Sequence, residues 1–273
     1  MKIKKRLLLI APYPIIKPKH GGQKRTSALY DFYSENFLEV KFCAIFNKTT
    51  FSEDEYKSTD ICLGDPEILE KINSSPHAGE LLVGESISKD FHVRSQFAKL
   101  LMEYKPNIIH VEQVFLYAGL KELLRDLNMS PKIVFGSQNI EHLMKAEIFK
   151  GLSLNQLNTK KILNQIRELE EAFSRDADLV IAVSENDAKA HRAMGAKRVV
   201  IANNGIKKII PSKNSINKWK KFKQARRIKG MATFVGSGHP PNWFGFIKMI
   251  GEDTSFIKSG YKFVSAGGVA GYF

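Results

Sequence analysis

Residues 177–205 (ADLVIAVSENDAKAHRAMGAKRVVIANNG) constrain the fold of this chain most strongly. An apolar run is followed by Ser184, a polar helical segment, a second apolar run and an Asn-Gly turn. Ser184 and Asp187 have the spacing of a capping box, in which the hydroxyl accepts from an amide of the first helical turn. A strand, a helix and a strand in this order form a βαβ unit. The segment therefore predicts the closing part of an α/β domain with a parallel sheet.

Similar apolar runs recur through the first 205 residues, with helical segments between them. The predicted strands are 7–10, 40–46, 108–111, 133–135, 179–183 and 199–201. The clearest helix is 152–174, where apolar residues recur every three to five positions. A short helix is predicted at 65–72, and the rest of 47–90 has no clear pattern. The alternation predicts an α/β domain over residues 1–205.

A second and shorter α/β pattern follows. Residues 232–235, 242–250 and 262–266 predict a strand, a helix and a strand. One βαβ unit does not bury both faces of a two-stranded parallel sheet. We therefore expect a basic linker at 206–231 and an incomplete second domain at 232–273. That domain would pack against the first domain, a partner chain or further sequence.

The net charge of +14 is concentrated in one segment. Residues 188–251 contain 15 lysines and arginines and no acidic residue. The densest part, 213–229 (KNSINKWKKFKQARRIK), predicts either a solvated linker or a surface for anionic lipid, nucleotide diphosphate or nucleic acid. Trp219 and Phe222 are the aromatic residues of this part, and no nucleic-acid motif is present. We therefore expect no nucleic-acid partner.

Several protein classes are disfavoured by composition. Two cysteines, Cys43 and Cys62, do not make a disulfide framework, which favours a reducing cytoplasm. The start MKIKKRLLLIAP resembles a secretory signal, but Pro12 and Pro14 interrupt its apolar run, so a buried strand is favoured. No run of 18 apolar residues predicts a membrane-spanning helix. The seven histidines lack metal-ligand spacing with cysteine, and we expect neither a metal nor a cofactor.

The loop after the first predicted strand ends in Gly21-Gly22, immediately before a helical pattern. Amides at a helix N-terminus carry partial positive charge, and glycine lets a phosphate approach them. Arg25 follows within the first turns of this helix. The spacings of the dinucleotide fingerprint and of the Walker loop are missing, so a plain Gly-Gly turn is the alternative.

Polar residues also follow the middle strands, where sites of open α/β sheets form. His110 and Glu112 alternate along one strand and are expected to face the same side. Gln138, Asn139 and Glu141 follow the next strand. A histidine beside a carboxylate suits proton transfer or hydroxyl binding. The alternative is that His110 has only a structural hydrogen-bonding role. The sequence contains no G-x-S-x-G motif of a serine nucleophile.

Together these segments resemble the family 4 glycosyltransferases of the GT-B fold. The resemblance rests on the Gly-Gly loop, the strand-end histidine with its acid, SQNIE, ADLVIAVSENDAKAHRAMGA, the strand closing in NNGI, and FVGSGHPPNWFGF. It covers nearly the whole chain and implies two Rossmann-like domains facing across a cleft. The second of these domains is expected to be incomplete in these residues.

The resemblance implies a retaining, metal-independent enzyme. The cysteine usage predicts a cytoplasmic location, and the basic segment 188–251 predicts peripheral contact with the inner face of the membrane. Such enzymes move a sugar from a nucleotide-diphosphate sugar to a lipid-linked or polysaccharide acceptor, as in cell-envelope polysaccharide biosynthesis. His110 and Glu112 are then candidate catalytic residues. The candidate diphosphate contacts are Gly21, Gly22, Arg25, Gly236 and Ser237. The candidate residues for the acceptor or the transferred sugar are Gln138, Asn139 and Glu141.

The sequence also departs from the family pattern. Ser237 stands where many relatives have an arginine, and Phe244-Gly245 where they have Lys-Gly. In those relatives the arginine and the lysine both bind the diphosphate. Their replacement here removes two of the diphosphate contacts that the resemblance implies. The family's paired glutamates, seven residues apart, would lie beyond Phe273. We therefore expect residues 1–273 alone to transfer no sugar.

Two alternatives remain open. The first is a non-catalytic GT-B half that binds an anionic membrane through residues 188–251, or a second chain that completes the second domain. The second is a GT-B epimerase, because a shared fold does not fix the chemistry.

Overall fold

The computed structural model describes residues 5–36, 39–74, 79–151, 156–205, 210–238, 240–251 and 255–272. The strands are β1 (Arg6–Ala11), β2 (Glu39–Phe46), β3 (Ile61–Cys62), β4 (Ile108–Glu112), β5 (Lys132–Gly136), β6 (Leu179–Ala182), β7 (Val199–Ile201), β8 (Gly230–Val235) and β9 (Tyr261–Ala266). The helices are α1 (Gly21–Asn36), α2 (Pro66–Ser74), α3 (Gly79–Lys89), α4 (Phe91–Tyr104), α5 (Tyr117–Asp126), α6 (Glu141–Gly151), α7 (Gln156–Asp176), α8 (Glu185–Ala193), α9 (Lys213–Ala225) and α10 (Pro240–Ile250). Among the described residues, short 3₁₀ helices lie at Lys48–Thr50, Glu53–Glu55 and Gly268–Tyr272.

The chain divides into two compact units. The first comprises Met1–Ala146 and Leu154–Gly205, and the second comprises Glu147–Ser153 and Ile206–Phe273. Each unit has its own parallel sheet.

The first unit contains a seven-stranded parallel sheet in the order β3-β2-β1-β4-β5-β6-β7. The chain moves outward from β1 to β3, returns to place β4 beside β1, and then moves outward in the other direction. The order thus reverses between β1 and β4, and such a switch point opens a crevice at the carboxyl ends of the strands. The predicted α/β fold with a Rossmann-like parallel sheet is confirmed.

The core of this unit lies on both sides of the central strands. Leu8, Leu9 and Ile10 are fully buried although their side chains alternate between the two faces. On one face the ring of Phe173 in α7 stacks on Tyr117 with 3.9 Å between centroids, and on Phe135 with 4.1 Å. The apolar stripe that predicts α7 is therefore the stripe that anchors it to the sheet.

All six strands predicted within the first 205 residues are present, with each end within one residue of its prediction. The helices predicted at 65–72 and 152–174 correspond to α2 and α7, and residues 152–155 lie outside the described part of the chain. Ser184 caps α8 by accepting from the amide of Asp187, while its hydroxyl donates to the Asp187 carboxylate at 2.5 Å.

The rest of the segment 47–90, which has no clear sequence pattern, adds the edge strand β3 and the helix α3. Helix α3 crosses α5 closely, since a Cβ built on Gly119 of α5 would lie 2.5 Å from the Cβ of Ile87 in α3. A two-residue strand and a crossing at a glycine leave little periodic signal in the sequence.

The second unit contains one βαβ unit, in which β8 pairs with β9 in parallel and α10 connects them. Within the predicted linker, the structure describes the helix α9, whose thirteen residues include no buried side chain. Phe246 of α10 is buried against Phe234 and Phe263 of the two strands. Among the described residues, no helix is both long enough and apolar enough to span a bilayer.

Candidate functional site

The candidate site lies at the carboxyl ends of β1, β4 and β5. Parallel pairing aligns Leu9 with His110, His110 with Val134, and Glu112 with Gly136. The loop after β1 leads directly into α1, and the loop after β5 carries Gln138. The sheet order therefore brings three of the predicted polar segments to the switch point between β1 and β4.

His110 and Glu112 form a buried pair, and both side chains are fully closed to solvent. The His110 Nε2 atom lies 3.0 Å from Glu112 Oε1. On the other side of the ring, Nδ1 lies 2.8 Å from the hydroxyl of Tyr33. The expected common face is thus present, but in this conformation neither side chain reaches solvent.

Glu112 is ionised at neutral pH despite its burial. Burial alone raises the pKa of a carboxyl, but His110, Arg25 and Gln138 outweigh that effect and lower the pKa of Glu112. The Gln138 amide donates to Glu112 Oε2 at 2.7 Å, and Arg25 Nε lies 3.4 Å from the same oxygen. A buried negative charge is therefore surrounded by donors from β4, α1 and the loop after β5.

Arg25 faces the interior of the first unit. Its Nη1 atom donates to the carbonyl oxygen of Ala202 at 3.1 Å and to Asn204 Oδ1 at 2.9 Å. Its Nε and Nη2 atoms are buried, and neither has a hydrogen-bond partner within the described residues. The structure thus places this candidate diphosphate contact between Glu112 and the turn after β7. The diphosphate role of Arg25 stays a prediction.

The two glycines that begin α1 have different surroundings. A Cβ built on Gly22 would lie 2.6 Å from Gln138 Oε1 and 2.9 Å from the Tyr13 hydroxyl. A Cβ built on Gly21 would meet no described atom within 4 Å. The amide of Gln138 donates to the Tyr13 hydroxyl at 2.5 Å, and this bond holds both side chains beside Gly22. A side chain at Gly22 would therefore displace Gln138 and Tyr13, whereas Gly21 borders open space.

Asn139 and Glu141 belong to a second polar cluster. The Asn139 amide donates to Glu141 Oε1 at 3.2 Å, and the Glu141 backbone amide donates to Glu170 Oε1 at 2.7 Å. Glu141 is 2% exposed, and burial raises its pKa to about 7. Its Oε2 atom has no hydrogen-bond partner among the described residues. The structure thus brings Gln138 to the His110 and Glu112 pair and places Asn139 and Glu141 against α7.

Gly236 and Ser237 lie in the second unit, at the carboxyl end of β8. The Asn242 amide donates to the carbonyl oxygen of Ser237 at 3.1 Å and lies 3.0 Å from its hydroxyl. A Cβ built on Gly267, which has a φ of 86°, would lie 2.3 Å from the carbonyl oxygen of Gly236. The loops that follow β8 and β9 therefore pack against each other through glycines.

Three residues of the site were not predicted from the sequence. They are Tyr13 in the loop after β1, Tyr33 in α1 and Gly136 at the end of β5. A Cβ built on Gly136 would lie 2.1 Å from Glu112 Oε1 and 2.4 Å from His110 Nε2. A glycine that ends an apolar strand is a signal for such a close approach. The two tyrosines give no comparable signal.

The described residues include no group of three His, Cys, Asp or Glu side chains arranged to hold a metal ion. The charges of the site are instead paired within the protein, through Arg25 and Glu112.

Comparison with known proteins identifies the family. Residues 51–208 match the model of Glycosyltransferase Family 4, which is more than half of the chain. The chain belongs to glycosyltransferase family 4. No protein of curated function matches its sequence.

Solved structures show that this family 4 chain has the GT-B fold. It matches sucrose-phosphate synthase from Thermosynechococcus elongatus at 12% identity and a TM-score of 0.55, covering 96% of this chain and 70% of that one. It matches Anabaena HepE in complex with UDP-glucose at 12% identity and a TM-score of 0.51, covering 95% and 68%. The apo lipopolysaccharide outer core galactosyltransferase WaaB matches at 14% identity and a TM-score of 0.43, covering 85% of this chain. The family 4 chain spans 52% of the length of WaaB.

The first prediction concerns Gly136. We expect Gly136→Ala to lower the free energy of unfolding by about 3 kcal/mol, because the new methyl group overlaps the buried Glu112 and His110 pair. Urea denaturation followed by circular dichroism measures the loss. Gly21→Ala is the matched control and should change stability by less than about 1 kcal/mol. Equal stability of the two variants would contradict the described packing.

The second prediction concerns Glu141. Its pKa is raised from 4.5 to about 7 in the folded chain, so the native state holds a proton that the unfolded state has released between these values. Stability due to this group is full below pH 4.5 and falls as the pH rises toward 7. We expect Glu141→Gln to remove this fall and to gain up to about 3 kcal/mol relative to wild type between pH 5 and pH 8. Urea titrations across this range measure the difference, and a pH-independent difference would show that Glu141 titrates normally.

Proposed function

We propose that the first unit supplies the acceptor-side half of a glycosyltransferase site, and that the donor is a nucleotide-diphosphate sugar. One observation carries the proposal. The buried network of Glu112, Arg25, His110 and Gln138 lies at the switch point of the sheet, next to the open first turn of α1. Membership of family 4 and the GT-B fold support sugar transfer as the reaction class.

The start of α1 is the proposed diphosphate contact. The first amides of a helix have no intrahelical acceptor, and the helix dipole favours an anion there. A Cβ on Gly21 would enter open space, so the absence of that Cβ leaves room for an approaching ligand. Lys24 is exposed on the same turn and adds positive charge. These groups would neutralise the leaving diphosphate without a metal ion.

His110 and Glu112 are proposed to act as positioning residues. They are closed to solvent, so they act through the groups that they hold. Glu112 fixes the amide of Gln138, whose side chain is only half-buried. An oriented amide suits the hydroxyl of an acceptor or of the transferred sugar. Asn139 and Glu141 are proposed to support the same opening from the second polar cluster.

The acceptor is proposed to be lipid-linked or a polysaccharide, and the reaction is proposed to retain configuration at the transferred sugar, in line with the family resemblance. The UDP-glucose complex of Anabaena HepE supports a nucleotide-diphosphate sugar as the donor class. Residues 1–273 on their own are proposed to transfer no sugar. After Asp187 their acidic residues are Glu252 and Asp253, which do not have the spacing of a glutamate pair.

The third prediction tests the diphosphate contact with UDP as the probe. We expect UDP to shift the amide resonances of Gly21 and Gly22 in two-dimensional NMR spectra, and uridine, which lacks phosphate, to leave them unchanged. Gly21→Ala should weaken UDP binding by about tenfold, because its methyl group occupies the open approach to the amides. The fold of this variant should be intact, since the new Cβ meets no described atom within 4 Å.

Lys99→Gln, an exposed change on α4, is the matched control and should leave UDP binding unchanged. Equal shifts with uridine would show that the base, not the diphosphate, makes the contact. Unchanged UDP affinity in Gly21→Ala would remove the helix start from the site.

A further inference from the structure

Helix α9 has an exposed apolar stripe within a cationic surface. Ile216, Trp219 and Phe222 recur every three residues and are 40%, 53% and 37% exposed. The rings of Trp219 and Phe222 touch edge to face, with 5.4 Å between their centroids. Exposed Trp and Phe side chains next to each other form a contact surface that water solvates poorly.

The cations of α9 flank this stripe. At about 100° per residue, the three apolar side chains occupy an arc of about 120° on the helix circumference. By the same geometry, Lys213 and Lys220 border one side of this arc. Lys218 borders its other side, and Lys221 lies opposite the arc. The helix is therefore amphipathic in cross-section, with charge along both edges of the apolar face and with Lys223 inside the arc at the last turn.

The carboxyl end of the stripe is also cationic. Lys223 completes the last turn of α9, and the guanidinium of Arg226 lies 4.2 Å from the centre of the Phe222 ring. Residues 188–251 contain no acidic side chain that would neutralise this surface. Ser212 caps the other end by accepting from the amide of Ser215, so the helix has its own start signal.

The positive charge of α9 indicates which kind of partner its apolar face binds. Helices that lie in a membrane interface combine Trp and Phe on one face with Lys and Arg on the rest, and anionic lipid attracts them. A lipid surface supplies the negative charge and the apolar layer together. A protein partner would need an apolar groove rimmed with acids on both sides.

We propose that α9 lies flat in the interface of an anionic bilayer. Ile216, Trp219 and Phe222 enter the boundary between headgroups and acyl chains, and Lys213, Lys218 and Lys220 contact lipid phosphates. This surface belongs to the second unit and does not rest on the proposed sugar transfer.

The fourth prediction uses Trp219 as its own probe. The chain has two tryptophans, and Trp243 stacks on Tyr272 with 5.5 Å between centroids, so Trp243→Phe keeps an aromatic contact and leaves Trp219 as the single reporter. Vesicles of phosphatidylcholine with phosphatidylglycerol should shift its emission to shorter wavelength and reduce acrylamide quenching. Phosphatidylcholine vesicles should have little effect, and high salt should reverse the shift.

Cosedimentation of the wild-type chain with the same vesicles provides a test that does not depend on Trp243→Phe. Replacement of Lys213, Lys218 and Lys220 by Gln should weaken binding by about 100-fold, since each cation near an anionic surface contributes about fivefold. Trp219→Ala with Phe222→Ala should weaken binding by about tenfold or more. The matched control replaces the exposed Lys99, Lys160 and Lys161 of the first unit by Gln and should leave binding unchanged.

Three results would overturn the proposal. The first is unchanged Trp219 emission and no cosedimentation with anionic vesicles. The second is an equal loss of binding in both lysine triples, which would mean that overall charge, not α9, is responsible. The third is a Trp219 that is protected from acrylamide quenching without lipid, with protection that increases with protein concentration. That result would assign the apolar stripe to a contact with a second copy of the chain.

Discussion

The buried carboxylate of Glu112 is the constraint on which the candidate site depends. A charge without solvent exposure is tolerated only where donors and an opposite charge surround it. His110, Arg25 and Gln138 supply these groups from β4, α1 and the loop after β5. Arg25 extends the same network to Asn204 in the turn after β7. One ion therefore holds together four segments that are distant in sequence.

This arrangement determines which atoms remain available to a ligand. Gly22 and Gly136 have no side chains because Gln138, His110 and Glu112 occupy the adjacent space. Gly21, at the first turn of α1, borders open space instead. The network thus holds in place the side chains next to the open space at the start of α1. Its members are therefore assigned positioning roles. The helix start is the proposed ligand contact.

Much of the fold could be predicted from the sequence, because long apolar runs and helical periodicity depend on local residue order. The alternation of His110 and Glu112 likewise predicted their common face. Contacts set by sheet register could not be predicted, and Gly136 beside Glu112 is an example. The same holds for Arg25 and Asn204, which lie 179 residues apart in sequence. The strand β3 was missed because two residues carry almost no periodic signal.

The most direct test of the central role of Glu112 is a double-mutant cycle of Arg25→Met and Glu112→Gln, measured by urea denaturation. Removal of either partner leaves the other buried without its counter-charge, so each single variant should lose about 3 kcal/mol or more. The double variant should be more stable than the sum of the two losses predicts, with a coupling energy of about 2 kcal/mol. Additivity within about 0.5 kcal/mol would contradict a site organised around this ion pair.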